Sequence, residues 1–247
     1  MLAIIGGSGL TQLANLAFER REVVRTPYGE PSGPLTFGRI CGQPAVFIAR
    51  HGYGHTIPPH EVNYRANLWA LKQADASSIV SIASVGGIRA DLAPGVLVIP
   101  HQIIDYTWGR KATFHEGGSA PVVHIDFTQP YDPELRQVLL AAARDAGQVV
   151  TDGGVYAAMQ GPRLETAAEI DRLEGDGADI VGMTGMPEAA LARELELPYA
   201  AITVVSNHAA GRGESKLGIQ FASLEDILRE SMERVRRIVE MICLDGE

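Results

Sequence analysis

A chain of 247 residues, 46% hydrophobic and 21% charged, is long enough to bury a substantial core and too apolar to be disordered. Its formal net charge of -9 excludes whole-molecule attraction to nucleic acid or an anionic membrane, so an anionic ligand needs a local, preorganised site. Cys41 and Cys243 lack metal or redox spacing, which points to a reduced, cytoplasmic setting.

The opening MLAIIGGSGL has no basic region and reads as a first strand over 2–5, not a signal peptide. No run approaches the ~20 apolar residues of a membrane span. Short β-branched runs then predict strands over 35–40 and 44–50, and helical spacing predicts a helix over 60–74. Strands over 77–84 and 95–100 follow, then a helix over 132–147 that opens Asp-Pro-Glu. The remainder alternates: strand 149–159, helix 164–177, strand 179–183, helix 186–197, strand 199–206 and helix 223–242. Ser223 and Asp226 form a capping-box pattern at the start of the last helix. The segment 105–131 is poorly periodic and rich in aromatics and histidine, which marks it as functional or as a subunit contact. The alternation predicts a single α/β domain over 1–247, with a central mixed sheet flanked by helices.

Chemically notable residues fall at predicted strand ends, where ligands bind in open α/β sheets. GGSGL fails as a dinucleotide fingerprint because G-x-G-x-x-G from Gly7 requires glycine where Gln12 stands. It reads either as a structural turn or as a loop whose N–H groups and Ser8 hydroxyl cradle an anion. Arg50 and His51 follow the apolar run AVFIA, and arginine suits bidentate phosphate binding. Ser84, Gln160-Gly161-Pro162, Met183-Thr184 and Ser206-Asn207 sit at other such ends.

In order, the chain carries GGSGL, TPYGEPSG, ARHG-x-x-H, VNYRANLWALK, QGPR-x-ET, VGMTGMPEA-x-LARE-x-x-L-x-Y and VVSNHA. This series resembles the trimeric purine nucleoside phosphorylase and methylthioadenosine phosphorylase superfamily over nearly the whole length. The resemblance implies reversible phosphorolysis of a nucleoside, with inorganic phosphate as co-substrate and no metal or organic cofactor. It implies small-molecule partners only, nucleoside and phosphate, without nucleic acid or membrane. It also implies a homotrimer with active sites at subunit interfaces. Carried over by position, Ser8, Arg50, His51, Ser84 and Thr184 are expected at phosphate. Met183 is expected along the ribose, with Leu164, Glu165 and Asn207 at the ribose and base. His55 and Tyr64 match phosphate or ribose contacts, while Glu188, at a helix start, is expected to be structural.

The base-reading positions depart from the adenine-using branch. That branch ends the corresponding strand with Asp-x-Asp, whereas this chain has Asn207 and Ala209. An asparagine can donate to a carbonyl O6 and accept from N7–H. Glu165 matches the 6-oxopurine branch, where a carboxylate accepts from N1–H; its other reading is a helix N-terminal carboxylate. Asn207 and Glu165 are the expected catalytic pair. Leu224, Ile227 and His124 match the 5′-group pocket, with His124 supplied from a neighbouring subunit, and a leucine buries a methylthio group better than a hydroxyl. The expected substrate is 5′-methylthioinosine. The alternatives are a general 6-oxopurine nucleoside, or 5′-methylthioadenosine.

Overall fold

The computed structural model describes residues 1–118, 121–221 and 224–244. The chain builds one mixed sheet whose central strands follow the predicted apolar runs. These are β1 (Leu2–Gly6), β3 (Leu35–Ile40), β4 (Gln43–Ala49), β5 (Ser78–Gly87), β10 (Ile180–Gly182) and β11 (Tyr199–His208). β1 lies parallel to β4 and β5, and β11 runs parallel along the other edge of β5. Side chains alternate between the two faces, as the period of 2 requires. Ile4, Phe47 and Val80 pack with α2 (Pro133–Asp145) and α5 (Leu224–Leu244). Their neighbours Ile5, Val46, Ile48 and Ile79 pack with α1 (Tyr64–Gln73) and α4 (Gly185–Glu194). α3 (Ala167–Gly175) covers a third, smaller cluster with Ile170 and Leu173.

Capping chemistry sets the helix starts. Asn63 Oδ1 accepts from Ala66 N at 3.1 Å, which begins α1 four residues later than predicted from periodicity. Asp132 caps α2 with Pro133 in its first turn. Thr166 and Glu169 form a reciprocal capping box on α3, so that helix starts after Glu165. α4 is kinked at Met186, whose φ of -118° and ψ of 141° are extended; its regular turns start at Pro187, near the predicted boundary. The capping pattern at Ser223 lies outside the described residues.

Three elements differ from expectation. The strand expected over 149–159 is two, β8 (Thr151–Asp152) and β9 (Val155–Ala158), because Gly153 and Gly154 take positive φ between them. β2 (Ala17–Glu22) is exposed throughout and has no apolar alternation to predict it. β7 (Gln102–Asp105) pairs with β9 ahead of the irregular segment, and β6 (Leu97–Ile99) joins β11 to β8. Among the described residues no helix is long and apolar enough to cross a membrane.

The sheet splits where it matters. On one edge β5 pairs with β1 over Ser78–Ser81 and with β10 over Gly86–Gly87. Residues 82–85 on that edge therefore have no strand partner, while β11 continues along the other edge. This is a topological switch point, the place where open α/β sheets bind ligands.

Candidate active site

The gap beside β5 is filled by Arg50, at the end of β4. Its guanidinium is wholly buried. Nη1 donates to the freed carbonyl of Ile82 at 3.0 Å. Nε and Nη2 grip the two oxygens of Glu188 at 2.7 and 2.8 Å, and Nη2 also reaches Ser81 Oγ at 2.7 Å. Glu188 is equally buried, and its Oε1 accepts further bonds from Ser81 at 2.7 Å and Tyr199 at 2.8 Å. Burial opposes the charge on Arg50, but the adjoining carboxylate outweighs it and holds the guanidinium protonated. The bidentate phosphate fork expected of Arg50 is therefore corrected: Glu188 takes the fork, and of five N–H groups one on Nη1 is left without one of these partners. Glu188 is structural, as expected, and it fixes this arginine.

A cleft of about 390 Å³ opens above that hub, within the ~300–1,000 Å³ usual for small-molecule sites. Its lining brings together Ser8, Arg50, His51, Ser84, Thr184, Met183, Leu164, Glu165 and Asn207. Gly7 is required beside Arg50: a Cβ there would stand 2.6 Å from Ile82 O and 2.9 Å from Arg50 Nη1. Thr184 N donates to the buried Tyr156 hydroxyl at 3.2 Å, and the Thr184 side chain caps no helix. His51 Nδ1 donates to Ile57 O at 2.8 Å. Burial first, then the charge of Arg50, push His51 down to about 4, so it is a neutral imidazole at physiological pH. His55 lines the same end, with Nε2 3.4 Å from Ser8 Oγ. Tyr64 does not line the cleft; its hydroxyl donates to Pro59 O at 2.9 Å beneath the wall.

At the opposite end, a register shift between Val205 and Asn207 makes Ser206 the extra residue of a bulge. Bulges re-aim side chains beside active sites. Asn207 Nδ2 donates to His208 O at 2.7 Å, which orients the amide, and Oδ1 accepts from Ser206 Oγ at 2.9 Å. One N–H and one lone pair stay available on the amide. Ala209 is buried beside it and presents only a methyl to the cleft. Glu165 stands outside α3, and the helix-start duty falls to Glu169, which also binds Arg163 at 2.7 Å. Among the described residues Glu165 pairs with no cation. Burial above all, with some repulsion from Glu169, raises its carboxyl above the usual carboxylate range. The alternative reading of Glu165 as a helix-terminal carboxylate is thereby removed.

Leu224, Ile227 and His124 are not brought into this cleft. Leu224 and Ile227 are half-buried on the first turn of α5, and His124 is exposed in the irregular segment. Ile57, Pro58, Pro59 and Ile219 line the cleft unanticipated, because nothing in their local spacing marks an apolar wall. Leu164 sits at the rim, 40% exposed.

The chain is similar to known proteins over nearly its whole length. The family model described as "Phosphorylase superfamily" matches residues 1–243. A protein of Pseudomonas syringae pv. tomato named a probable S-methyl-5′-thioinosine phosphorylase is 53% identical over 234 residues, 95% of this chain and 94% of its own length. The 6-oxopurine nucleoside phosphorylase of Pyrococcus furiosus is 42% identical over 243 residues, covering 96% and 90%. Methylthioadenosine phosphorylase from Schistosoma mansoni, solved with adenine, superposes with a TM-score of 0.92 at 35% identity, over 99% of this chain and 91% of that one.

Two outcomes follow from the buried groups. Glu188→Ala leaves a buried guanidinium unpaired and is expected to cost about 3–5 kcal/mol in urea unfolding, against about 1 kcal/mol for Tyr199→Phe. A cost for Glu188→Ala no larger than for Tyr199→Phe would show the pair is not the organising contact. His51 titrates lower folded than unfolded, so the unfolded chain binds its proton first. Stability is then full above the ordinary histidine value of ~6.5 and is lost as pH falls toward 4. Unfolding midpoints should fall more steeply across that window in the wild type than in His51→Gln.

Proposed function

The chain belongs to the Phosphorylase superfamily, and we propose that it cleaves 5′-methylthioinosine with inorganic phosphate to hypoxanthine and 5-methylthioribose 1-phosphate. The observation that carries the base assignment is the placement of Glu165 and Asn207 on one cleft, with Ala209 beside Asn207. Hypoxanthine carries N1–H, O6 and N7. Glu165, as a carboxylate, accepts from N1–H. The free Asn207 N–H donates to O6 and its free lone pair accepts from protonated N7. Adenine would bring an N1 lone pair against the carboxylate and an amino group against the Ala209 methyl. Each such buried mismatch costs about 1–3 kcal/mol, and polar mismatches discriminate more strongly than a missing methylene.

In this reading a phosphate oxygen attacks C1′ while the C1′–N9 bond breaks and its electron pair leaves on the base. Ser8, Ser84, Thr184 and the last Arg50 N–H hold the nucleophile, with His51 beside them as a neutral group. Asn207 stabilises the charge that develops on the purine, and Met183 lies against the sugar. Positioning and electrostatics supply the rate, and no metal or organic cofactor is assigned a step. The 5′-methylthio preference is supported by the names of the relatives and by the apolar Ile57, Pro58, Pro59 and Ile219 in the lining. We assign Leu224, Ile227 and a partner subunit's copy of the segment bearing His124 to complete that pocket.

The chain is further proposed to work as one catalytic domain in a cytoplasmic homotrimer. Supporting this are Trp108, 72% exposed, and Val122, 77% exposed, on the irregular segment, and free Cys41 and Cys243. A second reading, a general 6-oxopurine nucleoside phosphorylase, is favoured by one observation: the cleft lining within a single chain includes none of Leu224, Ile227 and His124.

The test is phosphate-dependent turnover of methylthioinosine, methylthioadenosine and inosine side by side. Methylthioinosine should have the highest kcat/KM, and Glu165→Gln should lower it by about 10- to 100-fold. Preference for methylthioadenosine would refute the base assignment, and preference for inosine would refute the 5′ assignment.

A further inference from the structure

Arg110, in the irregular segment after β7, makes six polar contacts and no ion pair among the described residues. Nη1 donates to Met183 O at 2.8 Å and Met186 O at 2.6 Å, the carbonyls that bracket Thr184 and Gly185. Nη2 donates to Met159 O at 3.2 Å and Gln160 O at 2.8 Å, at the start of the loop that carries Glu165. Nε reaches Gln160 Oε1 at 3.1 Å, and Nη1 also lies 3.3 Å from Tyr64 Oη. The placement follows from the sheet. β9 and β10 pair in register only as far as Ala158 and Gly182. Beyond them the two chains separate, one toward Glu165 and the other toward Thr184, and their carbonyls lose ladder partners. Buried carbonyls must be satisfied, and the planar five-donor guanidinium is the side chain that can bridge four of them. The two loops also touch directly, since a Cβ at Gly161 would collide with Met183 Sδ.

We propose that Arg110 is a positioning residue that locks the base-reading loop to the loop holding sugar and phosphate, so that one guanidinium sets the spacing between Glu165 and Thr184. The inference rests on the site assignments made under the proposed function. Its consequence is specific: loss of Arg110 disturbs both substrates at once, whereas loss of a residue on either loop disturbs one. It also gives the irregular segment a role within its own chain, whatever its outer face contacts.

The test compares wild type, Arg110→Ala and Arg110→Lys in steady-state kinetics, with KM for phosphate and for methylthioinosine measured separately. Arg110→Ala is expected to raise both KM values and to lower kcat/KM by about a hundredfold, the usual cost of an ångström-scale misplacement. Non-denaturing guanidinium chloride, filling the vacated position, should restore about tenfold, while Arg110→Lys, which cannot fork, should fall between. Glu165→Gln should raise the nucleoside KM alone. A folded Arg110→Ala within about threefold of wild type for both substrates would overturn the proposal, as would a loss that guanidinium does not relieve. If the alanine variant does not fold, the lysine variant decides: both KM values raised supports the clamp, and neither raised refutes it. Turnover of wild type without phosphate would instead refute the phosphorylase reading, an outcome distinct from a normal wild type with insensitive Arg110 variants.

Discussion

The site depends on a buried ion pair. Arg50 and Glu188 come from sequence positions 138 apart and meet with both side chains wholly buried. Removing two charges from water is costly, and the attraction offsets that cost only where every lone pair and proton is engaged. Here Ser81 and Tyr199 complete the carboxylate, and the Ile82 carbonyl and Ser81 complete most of the guanidinium. The pair therefore ties β4, β5, α4 and β11 together at the point where the sheet splits. One N–H on Nη1 has no acceptor among these partners. A cation with its field largely balanced by a carboxylate suits a co-substrate that must be bound, aligned and then consumed.

From that floor the functional groups rise at strand ends. Gly7 lets backbone approach the guanidinium, Tyr156 orients the backbone of Thr184, and the bulge at Ser206 turns Asn207 into the cleft. Glu165 and Thr184 lie on loops that leave the adjacent strands β9 and β10. Their relative position is a second constraint, and the carbonyls bound by Arg110 lie on both. The chemistry is thus spread over residues whose precision comes from contacts with backbone as well as side chain.

Much of this was legible in the sequence for identifiable reasons. Apolar runs bounded by glycine gave the central strands, and Asp132-Pro133-Glu134 marked its helix start through local chemistry. Ser8, Arg50, His51, Met183, Thr184 and Asn207 sit at or just past strand ends, and the structure gathers them with Ser84 and Glu165 on one cleft. What was not legible is non-local. The partner of the Arg50 fork lies in a distant helix, β2 has no buried face to leave a period, and Gly153-Gly154 breaks a run that composition joins. Arg110 lies in WGRKATFH, where no periodicity points inward, and its partners are 46 to 76 residues away. The 5′ group is the least legible part, because the single-chain cleft does not include the residues expected to read it.

The central claim is that Glu165 and Asn207 read a 6-oxopurine edge. Its most direct test is calorimetric titration of the free bases hypoxanthine and adenine into the protein at saturating phosphate. The two bases differ only at the edge in question. Hypoxanthine should bind at least about a hundredfold more tightly than adenine; equal affinity, or tighter binding of adenine, would contradict it.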